Sequence, residues 1–132
     1  MQYQEFINRV QNRAKMPSLE DAVKAVRVNL ETLGERLTPD EATNLSAQLP
    51  EEIGRFLTEK RGEPEKFNLS DFFERVSEKE GVELPQGTYH ARAVMSVLQD
   101  AVTAGEIRNV EAQLPEEFLP LFESGHEGKL QR

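Results

Sequence analysis

The 132-residue chain contains no cysteine and only two histidines, and this scarcity removes several kinds of chemistry. Without cysteine there is no disulfide bond, no thiolate nucleophile and no thiolate metal ligand. A glycine-rich phosphate loop is also missing, and no Ser-His-Asp set is recognisable in the sequence. Catalytic sites need not be local in sequence, so these absences favour a non-catalytic protein without cofactor but leave an enzyme open.

Long apolar runs and clusters of positive charge are missing as well. No stretch approaches the roughly 20 apolar residues of a membrane-spanning helix, and Met1–Glu5 lacks the pattern of a signal peptide. Acidic residues outnumber basic ones, for a formal net charge of −8. Because nucleic acids and anionic membranes are bound through clustered Lys and Arg, we expect neither as a partner. We expect a cytoplasmic, acidic, globular protein.

One segment of the chain occurs twice. Ala47–Glu52 reads Ala-Gln-Leu-Pro-Glu-Glu, and the same six residues return as Ala112–Glu117, 65 positions later. The same offset aligns Leu33 with Leu98 within matching apolar patterns. The repetition therefore indicates two copies of one structural unit, and it explains architecture without requiring any chemistry.

The apolar residues recur at the spacing of amphipathic helices. From Val26 to Leu37 they step by four, three and four positions. Ser18 is a predicted N-cap, and Thr38 with Glu41 is a predicted capping box at the start of the next helix. No segment alternates apolar and polar residues with period two. The predicted fold class is therefore all-α.

We predict a single domain over 1–132, a helical bundle of two similar multi-helix repeats related by a pseudo-two-fold axis. It divides into repeat one at 4–57, a linker at 58–69, repeat two at 70–122 and a flexible tail at 123–132. Ser70 is the predicted N-cap of repeat two. The predicted seam between the repeats consists of five side chains: Phe56, Leu57, Phe118, Leu121 and Phe122.

Three motifs together resemble a bacterial family. Phe-x-x-Arg-Val occurs at Phe6–Val10 and Phe72–Val76, an Arg and a Leu six positions apart mark Arg27–Leu33 and Arg92–Leu98, and Ala-Gln-Leu-Pro follows in both halves. This pattern looks like the family called domain of unknown function 2267, over residues 6–122. The resemblance implies a helical, cytoplasmic bacterial protein, with no assigned activity and no catalytic residues to transfer.

Duplication also singles out two glutamates and two arginines. Glu51 and Glu116 each open a Glu-Glu pair after a proline, where oxygen ligands for a divalent cation could gather. Helix capping is the favoured explanation, because the dipole and the unpaired N–H groups stabilise acids in a first turn. Arg27 and Arg92 lie beside the apolar stripe. We interpret them as structural clamps to carbonyl groups or glutamates, with an anion site as the alternative.

The two histidines do not suggest a metal site. His90 aligns with Ala25 of repeat one, so it is not duplicated, and we expect an ordinary, partly exposed residue. Glu123 and His126 have the Glu-x-x-His spacing of carboxylate-bridged di-metal bundles. Such sites need a second Glu-x-x-His pair and two further glutamates, so we interpret this single copy as coincidence and predict no metal ligand.

Three functions from different classes remain open. The first, and favoured, is a non-catalytic protein-binding or adaptor module that uses a groove between its repeats. The second is a metal- or carboxylate-dependent enzyme that uses the duplicated glutamates. The third is a carrier of a small apolar ligand, with a cavity under Phe67, Phe72, Phe73 and Tyr89. The sequence does not determine the partner or the oligomeric state.

Overall fold

The computed structural model describes residues 1–59 and 62–122, and these residues are mostly helical, without a strand. The α-helices are α1 (Tyr3–Ala14), α2 (Leu19–Arg36), α3 (Pro39–Ser46), α4 (Glu51–Thr58), α5 (Leu69–Glu80), α6 (Leu84–Ala101) and α7 (Ala104–Gln113). A short 3₁₀ helix (Glu116–Phe118) follows, and 119–122 continue as helix. The all-α prediction is confirmed. The predicted tail, with Glu123 and His126, lies outside the described residues.

Four helices form the body of the bundle. α1 and α5 each pack against both α2 and α6. Helix α4 packs on α2 and α3, and α3 packs on α7. The α1–α2 turn (15–18) and the α5–α6 turn (81–83) therefore lie at one end, which we call the turn end. The two Ala-Gln-Leu-Pro segments lie at the opposite end, which we call the far end.

The hydrophobic core contains residues from both halves of the sequence. Leu33 and Leu98, which occupy equivalent positions in the repeats, are both fully buried. Of the predicted seam residues, four are buried and Phe56 packs against the core from a partly buried position. Within the described ranges, no helix has both the length and the apolar character needed to cross a bilayer.

The helix starts follow the sequence closely, with one correction. The Oγ atoms of Ser18 and Thr38 accept hydrogen bonds from backbone N–H groups three positions on, as predicted. The predicted cap Ser70 is wrong, because α5 begins after Asn68. The Oδ1 atom of Asn68 accepts from the Asp71 N–H, and the Asp71 carboxylate accepts from the Asn68 N–H. This complete capping box starts the helix earlier than Ser70.

The linker is anchored to the bundle by its last residues. Phe67 is only 6% exposed, and its carbonyl oxygen accepts a hydrogen bond from Nε of Arg36 at 2.8 Å. The guanidinium of Arg75 lies 3.9 Å from the centroid of the Phe67 ring, a cation–π contact. The N–H of Glu65 donates to the carbonyl of Glu35 at 2.9 Å. These contacts hold the end of the linker against α2 and α5.

Candidate functional site

The two predicted glutamates lie at exposed helix starts. Glu51 is the first residue of α4, and its carboxylate lies 3.3 Å from Nη2 of Arg55, one turn further on. Glu116 is exposed at the start of the 3₁₀ helix. Residues 1–59 and 62–122 contain no group of three or more His, Asp or Glu residues that could hold a metal ion.

The two predicted arginines have different surroundings. Arg27 is exposed on α2, whereas Arg92 is half-buried on α6. The guanidinium of Arg92 lies 5.9 Å from the centroid of the Phe73 ring, and its Nε atom is buried without a hydrogen-bond partner. Neither arginine forms an ion pair with another described residue, and a role as a clamp to carbonyl groups or glutamates, or as an anion site, stays a prediction.

The aromatic residues predicted to cover a ligand cavity instead pack on one another. The ring of Phe72 lies 6.5 Å from that of Phe67 and meets that of Phe73 edge-on at 6.2 Å. Phe67 and Phe72 belong to the core, whereas Tyr89 lies at the turn end. The rings of Phe67, Phe72 and Phe73 thus fill space against one another, and the carrier hypothesis gains no support from them.

The turn end carries an open cleft with a volume of about 420 Å³. Both turns contribute to it, together with the neighbouring ends of α1, α2, α5 and α6. A cleft of this size suits a small ligand or a few side chains of a partner. Its principal polar lining residues are Lys15, Asp21, Lys24, Glu80, Tyr89 and His90.

A histidine–glutamate pair lies in the wall of the cleft. Nδ1 of His90 lies 2.7 Å from Oε1 of Glu80, and the two side chains are only 15% and 5% exposed. Burial raises the pKa of Glu80 above its ordinary value, while His90 and then Lys24 oppose that shift. An ionised carboxylate can only accept, so it fixes hydrogen on Nδ1 and orients the imidazole.

Sequence reasoning underestimated this pair, although a signal was present. When the sequences of the two repeats are aligned, Ala14 corresponds to Glu80 and Ala25 corresponds to His90. Both polar residues therefore replace alanines of repeat one. They are ten positions apart, and only the turn between α5 and α6 brings them together. A joint departure from the repeat at two positions is the signal that identifies such a pair.

Lys15 lines the cleft in an unusual backbone conformation. It ends α1 with a φ of 54°, in the left-handed region. The equivalent residue at the end of α5 is Gly81, with a φ of 76°. Glycine adopts this region freely, whereas another residue pays about 1–3 kcal/mol. Among the described residues, Lys15 is the one non-glycine residue with positive φ.

Exposed apolar side chains occur in the cleft and at the helix starts next to its two turns. Tyr89 lines it, is 47% exposed and donates its hydroxyl hydrogen to the carbonyl of Arg13 at 2.9 Å. Leu19 and Leu84 begin α2 and α6 directly beside the two turns, and they are 43% and 46% exposed. Within the described residues, Met1 is the other large apolar residue with comparable exposure.

At the far end, the duplicated glutamines connect the two repeats. Oε1 of Gln113 accepts a hydrogen bond from the Thr38 N–H at 2.8 Å. Oε1 of Gln48 accepts one from the Thr103 N–H at 2.9 Å. Each glutamine therefore takes over the N–H group that the glutamate of a capping box would bond. The predicted capping box is therefore wrong in one of its two bonds: the threonine side chains cap the helices, but the glutamates do not accept from the threonine N–H groups.

The glutamates displaced from those capping boxes meet each other. Glu41 on α3 and Glu106 on α7 interact through their carboxyl groups, and Glu106 is only 6% exposed. The Oε2 atom of each is buried without a hydrogen-bond partner. Burial, followed by the hydrogen bond that a protonated carboxyl group can make with Glu106 and by the charge of Glu106, raises the pKa of Glu41 to about 7. Two neighbouring carboxyl groups of this kind favour the state in which one proton is bound.

Comparison with curated proteins gives no match. The family described as "Uncharacterized conserved protein (DUF2267)" matches residues 3–121 of the chain. That match covers both repeats, and it agrees with the resemblance drawn from the Phe-x-x-Arg-Val and Ala-Gln-Leu-Pro motifs. The chain therefore belongs to the DUF2267 family.

Proposed function

We propose that this protein is a non-catalytic binding module that docks a segment of a protein partner in the cleft at the turn end. The observation that carries the proposal is the exposure of Tyr89 in the lining of a cleft of about 420 Å³, with the exposed Leu19 and Leu84 at the helix starts next to the two turns that form it. Single exposed apolar residues are ordinary on protein surfaces. Their convergence around a concave site is typical of a surface that another molecule covers.

The charges in the cleft favour a partner segment that carries a carboxylate beside an apolar side chain. Lys15 forms no ion pair with another described residue, and Lys24 is exposed at the same site. Asp21 is the opposing exposed acid, whereas Glu80 is buried against His90. The two lysines are therefore the groups available to bind an acidic side chain.

The backbone of Lys15 adds support. A residue that is held in the left-handed region despite its cost suggests that its side chain is needed there. Repeat two avoids this cost with Gly81.

We expect Lys15→Gly to raise the free energy of unfolding by about 1 kcal/mol, because glycine relieves the strain, while it weakens partner binding. Urea denaturation and binding titrations would measure the two effects, and Lys24→Gly, in the middle of a helix, is the contrasting variant.

Selection from a displayed peptide library would test the proposal directly. We expect enriched peptides to place Asp or Glu next to a large apolar residue. Their affinity should fall at least tenfold with Leu84→Asp or Lys15→Glu and stay unchanged with the far-end variant Glu52→Lys. A library without an enriched class, or peptides that bind the cleft variants as tightly as the wild type, would contradict the proposal.

The enzyme alternative has less support. The duplicated glutamates Glu51 and Glu116 are exposed at separate helix starts. His90 is a possible general base, but the residues that line the cleft include no Ser, Thr or Cys as a nucleophile. A cytoplasmic location, which the lack of cysteine favours, stays a prediction.

A further inference from the structure

The carboxyl pair at the far end lies where the two repeats meet. Glu41 is in the first turn of α3 and Glu106 is in the first turn of α7, and these helices pack against each other. Glu41 is half-buried and Glu106 is buried, and the Oε2 atom of each is out of reach of solvent, so two negative charges here would repel each other and be poorly solvated. Their two Oε2 atoms have no hydrogen-bond partner in the described structure, so no donor there compensates a second negative charge.

The surrounding charges do not compensate the pair either. Arg92, the half-buried cation predicted to bind a glutamate, lies over the Phe73 ring. The other charged residues on α3, α4, α7 and the 3₁₀ helix point to solvent, except for the half-buried Glu111. The exposed ones are Asp40, Glu51, Glu52, Arg55, Arg108, Glu116 and Glu117. Among the described residues, Glu106 is the charged group that raises the pKa of Glu41. A proton is therefore the group that can neutralise the contact.

We propose that Glu41 and Glu106 share one proton and form a pH-sensitive latch between α3 and α7. With the proton bound, one carboxyl group donates to the other, and the glutamine bonds of Gln48 and Gln113 hold the same interface on either side. When the proton leaves, two negative charges face each other in a buried contact. The first turns of α3 and α7 then separate, while the core below them stays packed.

The direction of the pH effect follows from proton linkage. The pKa of Glu41 is about 7 in the folded protein, against an ordinary value of 4.5. Between these pH values the folded protein binds more protons than the unfolded chain, so its stability falls as the pH rises. The contribution of the latch is complete below pH 4.5 and is lost as the pH passes through 7. The latch therefore opens on the alkaline side of neutral.

Carbon-13 NMR of glutamate carboxyl groups would test whether the proton is shared. We expect a titration step near pH 7 that disappears in both Glu41→Gln and Glu106→Gln and persists in Glu52→Gln. The glutamine amide can replace the donated hydrogen, so these variants should keep the folded contact. A wild-type protein without a step between pH 6 and 8, or a step that survives both substitutions, would overturn the proposal.

Hydrogen exchange would test whether loss of the proton opens the latch. After correction for the intrinsic pH dependence, protection of the α3 and α7 amides should fall at least fivefold between pH 6 and pH 8.5 in the wild type, and stay constant in Glu41→Gln. Equal protection at both pH values would overturn the proposal that the latch opens when the proton is lost. Thermal stabilisation by calcium or manganese at pH 8.5 that is lost in Glu41→Gln would also overturn it, since a cation would then replace the proton.

Discussion

Two glycines allow helices to approach more closely than any other residue would permit. A Cβ atom on Gly34 would lie 2.3 Å from the carbonyl oxygen of Leu57, and one on Gly87 would lie 2.8 Å from Cα of Ser77. At Gly87 the Oγ and Cβ atoms of Ser77 would be closer still, but the positions of the Leu57 oxygen and of Ser77 Cα are set by the backbone, so a side-chain rotation cannot relieve either contact. The α2–α4 and α5–α6 contacts therefore depend on the absence of a side chain at single positions.

We predict that Gly34→Ala lowers the free energy of unfolding by about 1–3 kcal/mol, because the added methyl group forces α2 and α4 apart. Gly105→Ala is the matched control, since its Cβ would meet nothing closer than 3.9 Å. That variant should be neutral or more stable by up to about 1 kcal/mol, because alanine favours helix. Urea denaturation measures both, and equal effects of the two substitutions would contradict the steric explanation.

At the level of elements, the Ala-Gln-Leu-Pro segment has a role at each of its last three positions. The side-chain oxygens of Gln48 and Gln113 accept hydrogen bonds from the N–H groups of the N-cap threonines in the opposite repeat. The leucines that follow are 8% and 5% exposed, and the prolines precede the next helical segment. The motif thus joins two repeats and ends one helix in four residues, which explains why it occurs twice.

Gln113→Ala should cost about 1–3 kcal/mol, because it leaves the partly buried Thr38 N–H without its acceptor. Gln48→Ala should cost less than Gln113→Ala, because the Thr103 N–H is exposed and water can replace the lost acceptor. Glu52→Ala, an exposed residue of the same segment, is the control and should change stability by less than about 0.5 kcal/mol. Chemical denaturation of the three variants checks this. A loss in Glu52→Ala that matches the glutamine variants would contradict the proposed role.

At the level of the whole molecule, the core is shared between the repeats. Buried residues from α1 to residue 122 form one hydrophobic cluster, and each of α1 and α5 packs on helices from both halves. A repeat taken alone would expose the faces that α1–α6 and α2–α5 bury against each other. We therefore propose that the two repeats fold as one cooperative domain about an approximate two-fold axis.

Leu33→Ala and Leu98→Ala should each lower the free energy of unfolding by about 2–5 kcal/mol, since each leaves a cavity in this shared core. Each variant should still unfold in a single transition, with far-UV circular dichroism and calorimetry in agreement. Leu84→Ala, at an exposed leucine, serves as the control. Two separable transitions would show that the repeats are independent domains.

Much of the architecture could be predicted because helices are specified locally. Apolar spacing identified α2, and the caps Ser18 and Thr38 were correct because an N-cap interacts with residues only three positions away. Ser70 was wrong for a local reason too, since Asn68 and Asp71 form a complete capping box just before it. The family could be identified because the repeated motifs are also short stretches of sequence.

The sequence by itself thus determined the helical class, most helix starts and the family. Only the tertiary structure decided which polar groups meet. Glu80 contacts His90 across a turn. Glu41 interacts with Glu106, which is distant in the sequence, and does not complete its capping box. Periodicity shows which face of a helix is apolar, but not which helix packs against it. The cleft and the carboxyl pair depend on that packing, so they appear only when the repeats are assembled.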